Sequence, residues 1–578
     1  MSEERDAKVR CIESEREALL SFKNGTIDED GFLSSWRSNE CCEWDGVECS
    51  NTTGHVIALK CHNFGLQVGM ISEAFQSRNS LDPLKQLQHL SLHDSNFSGV
   101  VPPQFGNLTN LRSLDLSFNS LTPMSLSILG FVLESLQILT LSGNQFNGSI
   151  PDLRPFPSLT HLDLSGNNFT GPVPLSLGQL SELQNLDLSF NSLEGLVSES
   201  HFIKLDKLKS LDLSYNPLLN LDIAPDWSPP FQLSIISLAE CDVGPYFPKW
   251  IRSQRNLSSL DLTSANIRDE VPIWLWNTSS LLNVLSLSDN QISGTIPNLS
   301  STSIMFMDVS YNQFSGPIPL FPATTYEIMS GNMFSGSISS ICETHHDQLE
   351  TLRLSNNLLE GQVPNCWEKM PGLNSINLAN NKFTGEIPAS LVELRNLGAL
   401  QMHGNNLSGE LPYSLRHCQA LRIIDVEGNK LTGEIPTWIG QLHSMLILNL
   451  RGNKLHGSIP SQICNLTNIQ ILDLSINNFS SIIPDCFNNF TVLSRKYIQN
   501  LEFDEILFVS LDLMNGNKHN GYSSFQWKGK ESDYWNNVKW LKLIDFSSNR
   551  LTGNIPKSFS TMRGLISLNL SRNSLTDI

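Results

Sequence analysis

Hydrolases and metalloenzymes need a few side chains at fixed spacing, and this 578-residue chain offers few candidates. His89 and His93 stand four apart, a spacing that on a helix would aim two imidazoles at one zinc ion. Leu90 and Leu92 alternate with them, so the segment reads as a strand, with the two rings about 13 Å apart on one face. A shared metal is not expected there. His345-His346-Asp347 reads as a solvated loop. The chain contains no H-E-x-x-H, G-x-S-x-G or C-x-x-C. Gly529-Lys530 is followed by Glu531, which excludes a phosphate-binding loop. Neither catalysis, a metal nor a cofactor is expected.

Composition narrows the partners. Lys and Arg number 38 against 57 Asp and Glu, a net charge of −19. An acidic chain lacks the basic excess that draws proteins to phosphate backbones, so nucleic acid and anionic membrane are not expected partners. The first ten residues, MSEERDAKVR, lack the apolar run of a secretory signal. The best candidate span, Ile506 to Met514, is short and interrupted by Asp512, where a membrane helix needs about 20 apolar residues.

What must position any site is a repeat. Leu111-Arg-Ser-Leu114-Asp-Leu116-Ser-Phe-Asn119-Ser-Leu121 matches L-x-x-L-x-L-x-x-N-x-L, the leucine-rich-repeat pattern. The frame asparagine recurs at Asn144, Asn167, Asn191, Asn216, Asn290 and onward to Asn477, mostly every 24 or 25 residues. It resumes at Asn549 and Asn573, and Cys241 and Ala265 occupy the slot in two coils. About twenty coils result. In x-L-x-L-x the leucines point one way and the x residues the other. Stacked coils then form a parallel sheet over one continuous leucine core. The asparagine is expected to turn inward and bond backbone groups of its own and adjacent coils. A second frame, G-x-I/V/L-P, follows at Gly171–Pro174, Gly409–Pro412, Gly433–Pro436, Gly457–Pro460 and elsewhere, marking the plant-specific class. The expected fold is an α/β solenoid: a right-handed leucine-rich-repeat superhelix with short parallel strands on its concave face.

A solenoid needs a cover over its first coil. Cys11-x4-Arg16-Glu17-Ala18-Leu19-Leu20-x-Phe22-Lys23 reads as an amphipathic helix. Leu33, Trp36 and Cys41-Cys42-x-Trp44-x-Gly46-Val47-x-Cys49 follow. This segment closely resembles the N-terminal cap of plant leucine-rich-repeat receptors and polygalacturonase-inhibiting proteins. The resemblance implies disulfides Cys11–Cys41 and Cys42–Cys49. The alternative, a zinc site, has no C-x2-C or flanking histidine behind it. Cys342 and Cys366 sit at similar offsets in adjacent coils, as do Cys464 and Cys486, and each pair suits a disulfide. Cys61, Cys241 and Cys418 are expected to be buried thiols. Paired cysteines point to an oxidising compartment. Fourteen N-x-S/T sequons are glycosylation candidates: Asn24, Asn51, Asn96, Asn107, Asn147, Asn168, Asn256, Asn277, Asn298, Asn406, Asn465, Asn478, Asn489 and Asn569. The Asn-, Ser- and Thr-rich repeat also produces such sequons by chance.

The asparagine ladder stops after Asn477 and restarts at Asn549, which leaves roughly Leu493 to Trp540 as an insertion. It contains Lys528-Gly529-x-Glu531-x-x-Tyr534. Cap, coils, this island and the coil after it resemble the ectodomain of plant leucine-rich-repeat receptor-like proteins. These are kinase-less cell-surface immune receptors of the elicitor and disease-resistance class. The expected organisation is a leader remnant (1–10), cap (11–54), repeats (55–492), island insertion (493–540) and further, truncated repeats (541–578). The resemblance implies a place on the outer side of the plasma membrane. It also implies receptor-like kinases as co-receptors, with Lys528, Gly529, Glu531 and Tyr534 as the island's partner surface.

Ligand contact is expected on the concave sheet, at the x positions. One x slot is mostly filler: Asp115, Asp163, Asp187, Asp212, Asp261, Asp308, Asp473 and Asp545. Departures from filler cluster at Arg353, Gln401, His403, Asp425, Glu427, Asn449 and Arg451, the expected ligand-binding residues. Earlier departures are His89, His93, His161, Phe118, Phe190 and Tyr215. Arginine and aromatic side chains are the types enriched at recognition hot spots. The expected function is recognition of a microbial or plant peptide, protein or glycan in defence, with signalling through associated kinases. A secreted inhibitor or decoy of microbial wall-degrading enzymes and a developmental peptide receptor are the alternatives.

Overall fold

The computed structural model describes residues 10–26, 28, 31–61, 71, 82–122, 133–277, 281–321, 324–494, 525–527, 530–532 and 541–576. The chain forms two compact units, Met1–Gln291 and Ile292–Ile578. In the first, helix α1 (Glu13–Asn24) opens the cap and buries Ala18, Leu19 and Phe22. Phe22 meets Trp36 and Phe97, with ring centroids 6.2 and 6.3 Å apart, so the cap's core is continuous with that of the first coils. Buried Glu15 ties the helix to the sheet: its carboxylate accepts Val56 N–H at 2.7 Å and faces His55 Nδ1 at 2.7 Å. Disulfides Cys11–Cys41 and Cys42–Cys49 close the cap, with Cα separations of 5.5 and 5.4 Å. The grouped sulfurs of Cys11, Cys41 and Cys42 are thus spent in disulfides, which leaves no thiolate among them for zinc.

Strand β1 (Val47–Cys49) pairs antiparallel with β2 (Val56–Lys60). From β2 onward pairing is parallel and in register, starting with Leu59 opposite Leu90 in β3 (His89–Ser91). The same register repeats coil after coil: Leu162, Leu186 and Leu211 align in the first unit, and Leu400, Ile424, Leu448 and Leu472 in the second. All of these side chains are buried. The G-x-I-P frame lies on a second row of short parallel strands, such as Lys382–Gly385 beside Leu358–Gln362. Gly433 shows why glycine is needed there: it has φ +85°, and a Cβ would stand 2.8 Å from Glu410 Cγ of the preceding coil. The proline then leads into a single 3-10 turn, such as Thr437–Gln441 after Pro436.

The frame asparagines turn inward. Asn429 Nδ2 donates to the carbonyls of Met402, Val426 and Glu427, and Oδ1 accepts Leu407 N–H. In its coil, Cys241 Sγ donates to Leu213 O at 3.1 Å and faces the Asn216 backbone. The ladder closes over the insertion: Ile471–Asp473 pairs directly with Leu543–Asp545, and Asn549 accepts Phe479 N–H at 3.0 Å. Within the insertion, Phe525–Trp527 and Lys530–Ser532 form an antiparallel pair with Glu531 opposite Gln526. Lys528, Gly529 and Tyr534 lie outside the described residues.

Two further disulfides, Cys342–Cys366 and Cys464–Cys486, link adjacent coils, both with Cα separations of 5.8 Å. Cys61, Cys241 and Cys418 are buried free thiols. Crosslinking positions 24 apart removes loop entropy worth about 3 kcal/mol from the unfolded chain. Cys342→Ser with Cys366→Ser is therefore expected to lower the urea midpoint of the second unit and speed amide exchange in the coils it joins. Unchanged exchange would show the link to be idle.

Candidate functional site

Each coil offers the sheet face two outward positions, two residues apart, followed by a turn residue. In filler coils the first two are Asp and Ser. Asp163 Oδ1 accepts both the backbone N–H and the hydroxyl of Ser165, at 3.0 and 2.7 Å. Asp473 and Ser475 repeat this at 2.9 and 2.6 Å. The motif ties off the strand end, which explains its recurrence without any ligand.

Three successive coils of the second unit abandon it: Gln401/His403, Asp425/Glu427 and Asn449/Arg451. Their strands lie side by side, with Gln401 opposite Asp425 and Asp425 opposite Asn449. His403 Nδ1 stands 3.1 Å from Asp425 Oδ2. Asn449 Nδ2 donates to Glu427 Oε2 at 2.9 Å. Arg451 Nε lies 3.2 Å from Glu427 Oε1, and its Nη1 donates to Ser475 Oγ at 2.8 Å. Asp473 Oδ2 is 4.0 Å from that Nη1. The Glu427 N–H donates to Asp425 Oδ1 at 3.2 Å, so one polar chain runs from His403 to Asp473. Asp473 and Ser475 belong to it, although Asp473 occupies the filler slot. The signal was available, since Asp473 is in register with Asn449, two residues before Arg451.

These residues were expected to be exposed, and most are not. Asn449 is fully buried, and Asp425, Glu427 and Gln401 are buried. Strands about 4.8 Å apart leave no solvent gap between long side chains that pair laterally. Side chains of His403 and Arg451 keep 13% and 21% of their exposure, so they carry the accessible chemistry. Burial, reinforced by the Asp425 charge, pushes the Glu427 carboxyl up to about 7. Burial, with Asp545 adding to it, pushes Asp473 up to about 6. Arg353, half-buried, ends the strand Thr351–Arg353. Burial lowers its pKa, while the Asp308 charge opposes the shift. Arg353 stands two strands from Gln401, with Asn377 in register between them.

Elsewhere, His89 is exposed, and His93 donates to or accepts from Ser117 Oγ at 2.7 Å and meets Phe118 edge-on. His346 is buried, a correction to the solvated-loop reading. Its Nε2 pairs with Thr344 Oγ1 at 2.8 Å and its ring packs against Phe321. The neighbouring aromatic ring, unreadable from local sequence, draws it inside. Thirteen of the fourteen sequon asparagines are exposed. Asn569 is half-buried on the sheet and donates to Asp545 Oδ2 at 2.9 Å.

A disulfide-capped stack of plant-type coils with a polar cluster on its sheet defines a leucine-rich-repeat ectodomain. Family models agree: a leucine-rich-repeat N-terminal domain matches residues 12–50, a leucine-rich-repeat region 66–321, and further leucine-rich repeats 347–407, 420–442, 444–466, 468–490 and 540–562. Receptor-like protein EIX2 of Solanum lycopersicum is 34% identical, over 97% of this chain and 80% of its own length. Receptor-like protein 47 of Arabidopsis thaliana is 30% identical over 63% of this chain and 53% of its own. The chain belongs to the plant leucine-rich-repeat receptor-like proteins. Among solved structures it is similar to the Arabidopsis receptor kinase HAESA, solved with the peptide hormone IDA and the co-receptor SERK1. That match has a TM-score of 0.69 at 28% identity, over 98% of this chain and 86% of HAESA's. Among the described residues, no helix is long and apolar enough to cross a membrane.

Proposed function

We propose that this chain recognises an extracellular peptide, protein or glycan in plant defence, at the plasma membrane, and signals through an associated receptor kinase. The observation that carries this reading is the run of three coils in which filler Asp and Ser give way to His403, Glu427 and Arg451, joined into one polar chain. A repeat that needed only to fold would keep the filler. Four disulfides suit an oxidising compartment. The similarity to EIX2 supports a receptor, and HAESA, solved in complex with a peptide hormone and a co-receptor, supplies a precedent for both partners. Lys528, Gly529, Glu531 and Tyr534 are assigned to the kinase-facing surface.

The test is capture from elicitor-treated plant cells expressing the chain in its secreted form. A receptor kinase should be recovered, and Lys528→Ala with Tyr534→Ala should weaken its recovery at unchanged melting temperature. Ligand affinity should fall about 10- to 100-fold in His403→Ala or Arg451→Gln, the size of an interface hot spot. Recovery of a wall-degrading enzyme with no kinase would replace this reading with that of a secreted inhibitor.

A further inference from the structure

We infer that the coil carrying the strand Tyr326–Ile328 is a pH-operated opening point in the second unit: it stays closed at acid pH, and as pH rises it opens by itself and releases Arg353, which is held across it. The device lies in the coil's interior and does not depend on the His403–Asp473 chain.

Two core positions of this coil are polar. Thr324 and Glu327 stand where the next coil has Leu349 and Leu352, and where the coil before has Ile304 and Met307. All six side chains are buried, those of Thr324 and Glu327 completely. The coil is also the shortest in the array. Asn312 and Asn332 are 20 residues apart, where 24 or 25 is usual. Among the described residues, no 3-10 turn lies between its strands Gln313–Gly316 and Tyr326–Ile328. Two leucine side chains and one turn are thus missing from its share of the core. A segment with less apolar burial than its neighbours is the one that opens locally before the whole unit unfolds.

Glu327 makes that opening depend on pH. Met307 on the strand before it and Leu352 on the strand after it face the same core. Asp308, Tyr326 and Arg353 belong to these three strands but alternate to the outer face. His346 of the next coil is buried as well, with its Nε2 on Thr344 Oγ1 and its ring on Phe321. No charged side chain contributes to the Glu327 shift. Burial raises its carboxyl from 4.5 to about 8, and the Thr324 hydroxyl alone opposes that. The closed coil holds the proton, and the opened coil gives it to water. Closure is therefore favoured fully below 4.5 and is lost as pH rises to about 8, with the opening equilibrium moving about tenfold per pH unit.

Arg353 spans the coil from outside. It is in register with Ile328, and Ile328 with Asp308. Asp308 and Tyr311 both act on Arg353 electrostatically, across the strand between them. When that strand leaves, Thr351–Arg353 becomes an edge and the guanidinium loses the surface it lies over. The coils beyond are held independently, because Cys342–Cys366 ties the turn ahead of Thr351–Arg353 to the turn ahead of Ser375–Asn377. Opening is expected to stop there.

Hydrogen exchange of the full chain, read by mass spectrometry from pH 5.5 to 7.5 and corrected for intrinsic amide rates, tests this. Protection of residues 327–329 should fall close to tenfold per pH unit, roughly fiftyfold or more across the range. Protection of residues 400–402, on a strand with no core acid, should stay level. Glu327→Gln and Glu327→Leu both remove the titrating group, the first at nearly unchanged shape, and each should flatten the slope. Phenylglyoxal, an arginine reagent, should modify Arg353 faster at pH 7.5 in the parent than in Glu327→Gln. A level profile at residues 327–329 in the parent, an equal slope at residues 400–402, or a slope kept in both variants overturns the proposal. Equal modification of Arg353 in parent and variant overturns it as well.

Discussion

Glu327→Leu is expected to stabilise the second unit at pH 8 by several kcal/mol and to remove much of its pH dependence. Glu327 occupies a core leucine slot: its register partners are Met307 and Leu352, both fully buried. It has no exposure, and the only group that favours its charged form is the neighbouring Thr324 hydroxyl. Burial pushes its carboxyl from 4.5 up to about 8. The native state therefore holds a proton that the unfolded chain releases near 4.5. Stability is full below that value and declines as pH rises to about 8, at about 1.4 kcal/mol per unit. The whole window is worth roughly 4–5 kcal/mol. Glu427 and Asp473 of the same unit, raised to about 7 and 6, slope the same way. The variant should thus keep a shallower slope rather than none. Urea unfolding of both proteins at pH 5 and pH 8 decides it. Parallel pH curves, or a variant weaker than the parent at pH 8, would refute the account.

Glu327 also shows where sequence reading stops short. Asn332 and Met329 set the register, so the acid in a leucine slot can be read on paper once each coil is checked position by position. The fold was legible because its information is periodic: leucine, asparagine and the G-x-I-P frame each repeat, and each physical role repeats with them. The disulfide between Cys342 and Cys366 was legible for the same reason, since equal offsets in adjacent coils become neighbouring atoms. The cluster's membership was visible as departure from filler at His403, Glu427 and Arg451. Its burial was not, because exposure depends on what stands across the strand gap. Asn449 reads as a surface residue alone and becomes a buried donor only when Glu427 reaches over it. His346 failed likewise, since Phe321 is distant in sequence. The island interrupts the period, so no neighbour predicts its conformation.

Asn429→Ala should cost about 1–3 kcal/mol, the penalty of one buried unpaired donor. The side chain accepts Leu407 N–H at 2.9 Å and donates to the carbonyls of Met402, Val426 and Glu427 at 2.9, 3.0 and 3.2 Å. Alanine would leave the buried Leu407 N–H unsatisfied, at about 1–3 kcal/mol, while the carbonyls keep donors in Asn405 Nδ2, Asn453 Nδ2 and Gly404 N–H. The coil built on Cys241 shows how the fold lives without asparagine. Its thiol satisfies Leu213 O at 3.1 Å, and the donor in the preceding coil, Leu219 N–H, turns instead to Asn216 O at 2.9 Å. That preceding coil contains Pro217, and its turn is local. The coil of Asn405 is regular, and Leu407 N–H has no such alternative among its bonds. Asn429→Cys should therefore recover the carbonyl contact but not the donor, and fall between alanine and the parent. Repeat stability is a sum over neighbours, so the loss should appear as faster amide exchange across Ala399–Asn449 before global unfolding. A cost under 1 kcal/mol for Asn429→Ala would mean that the ladder marks the repeat without holding it together.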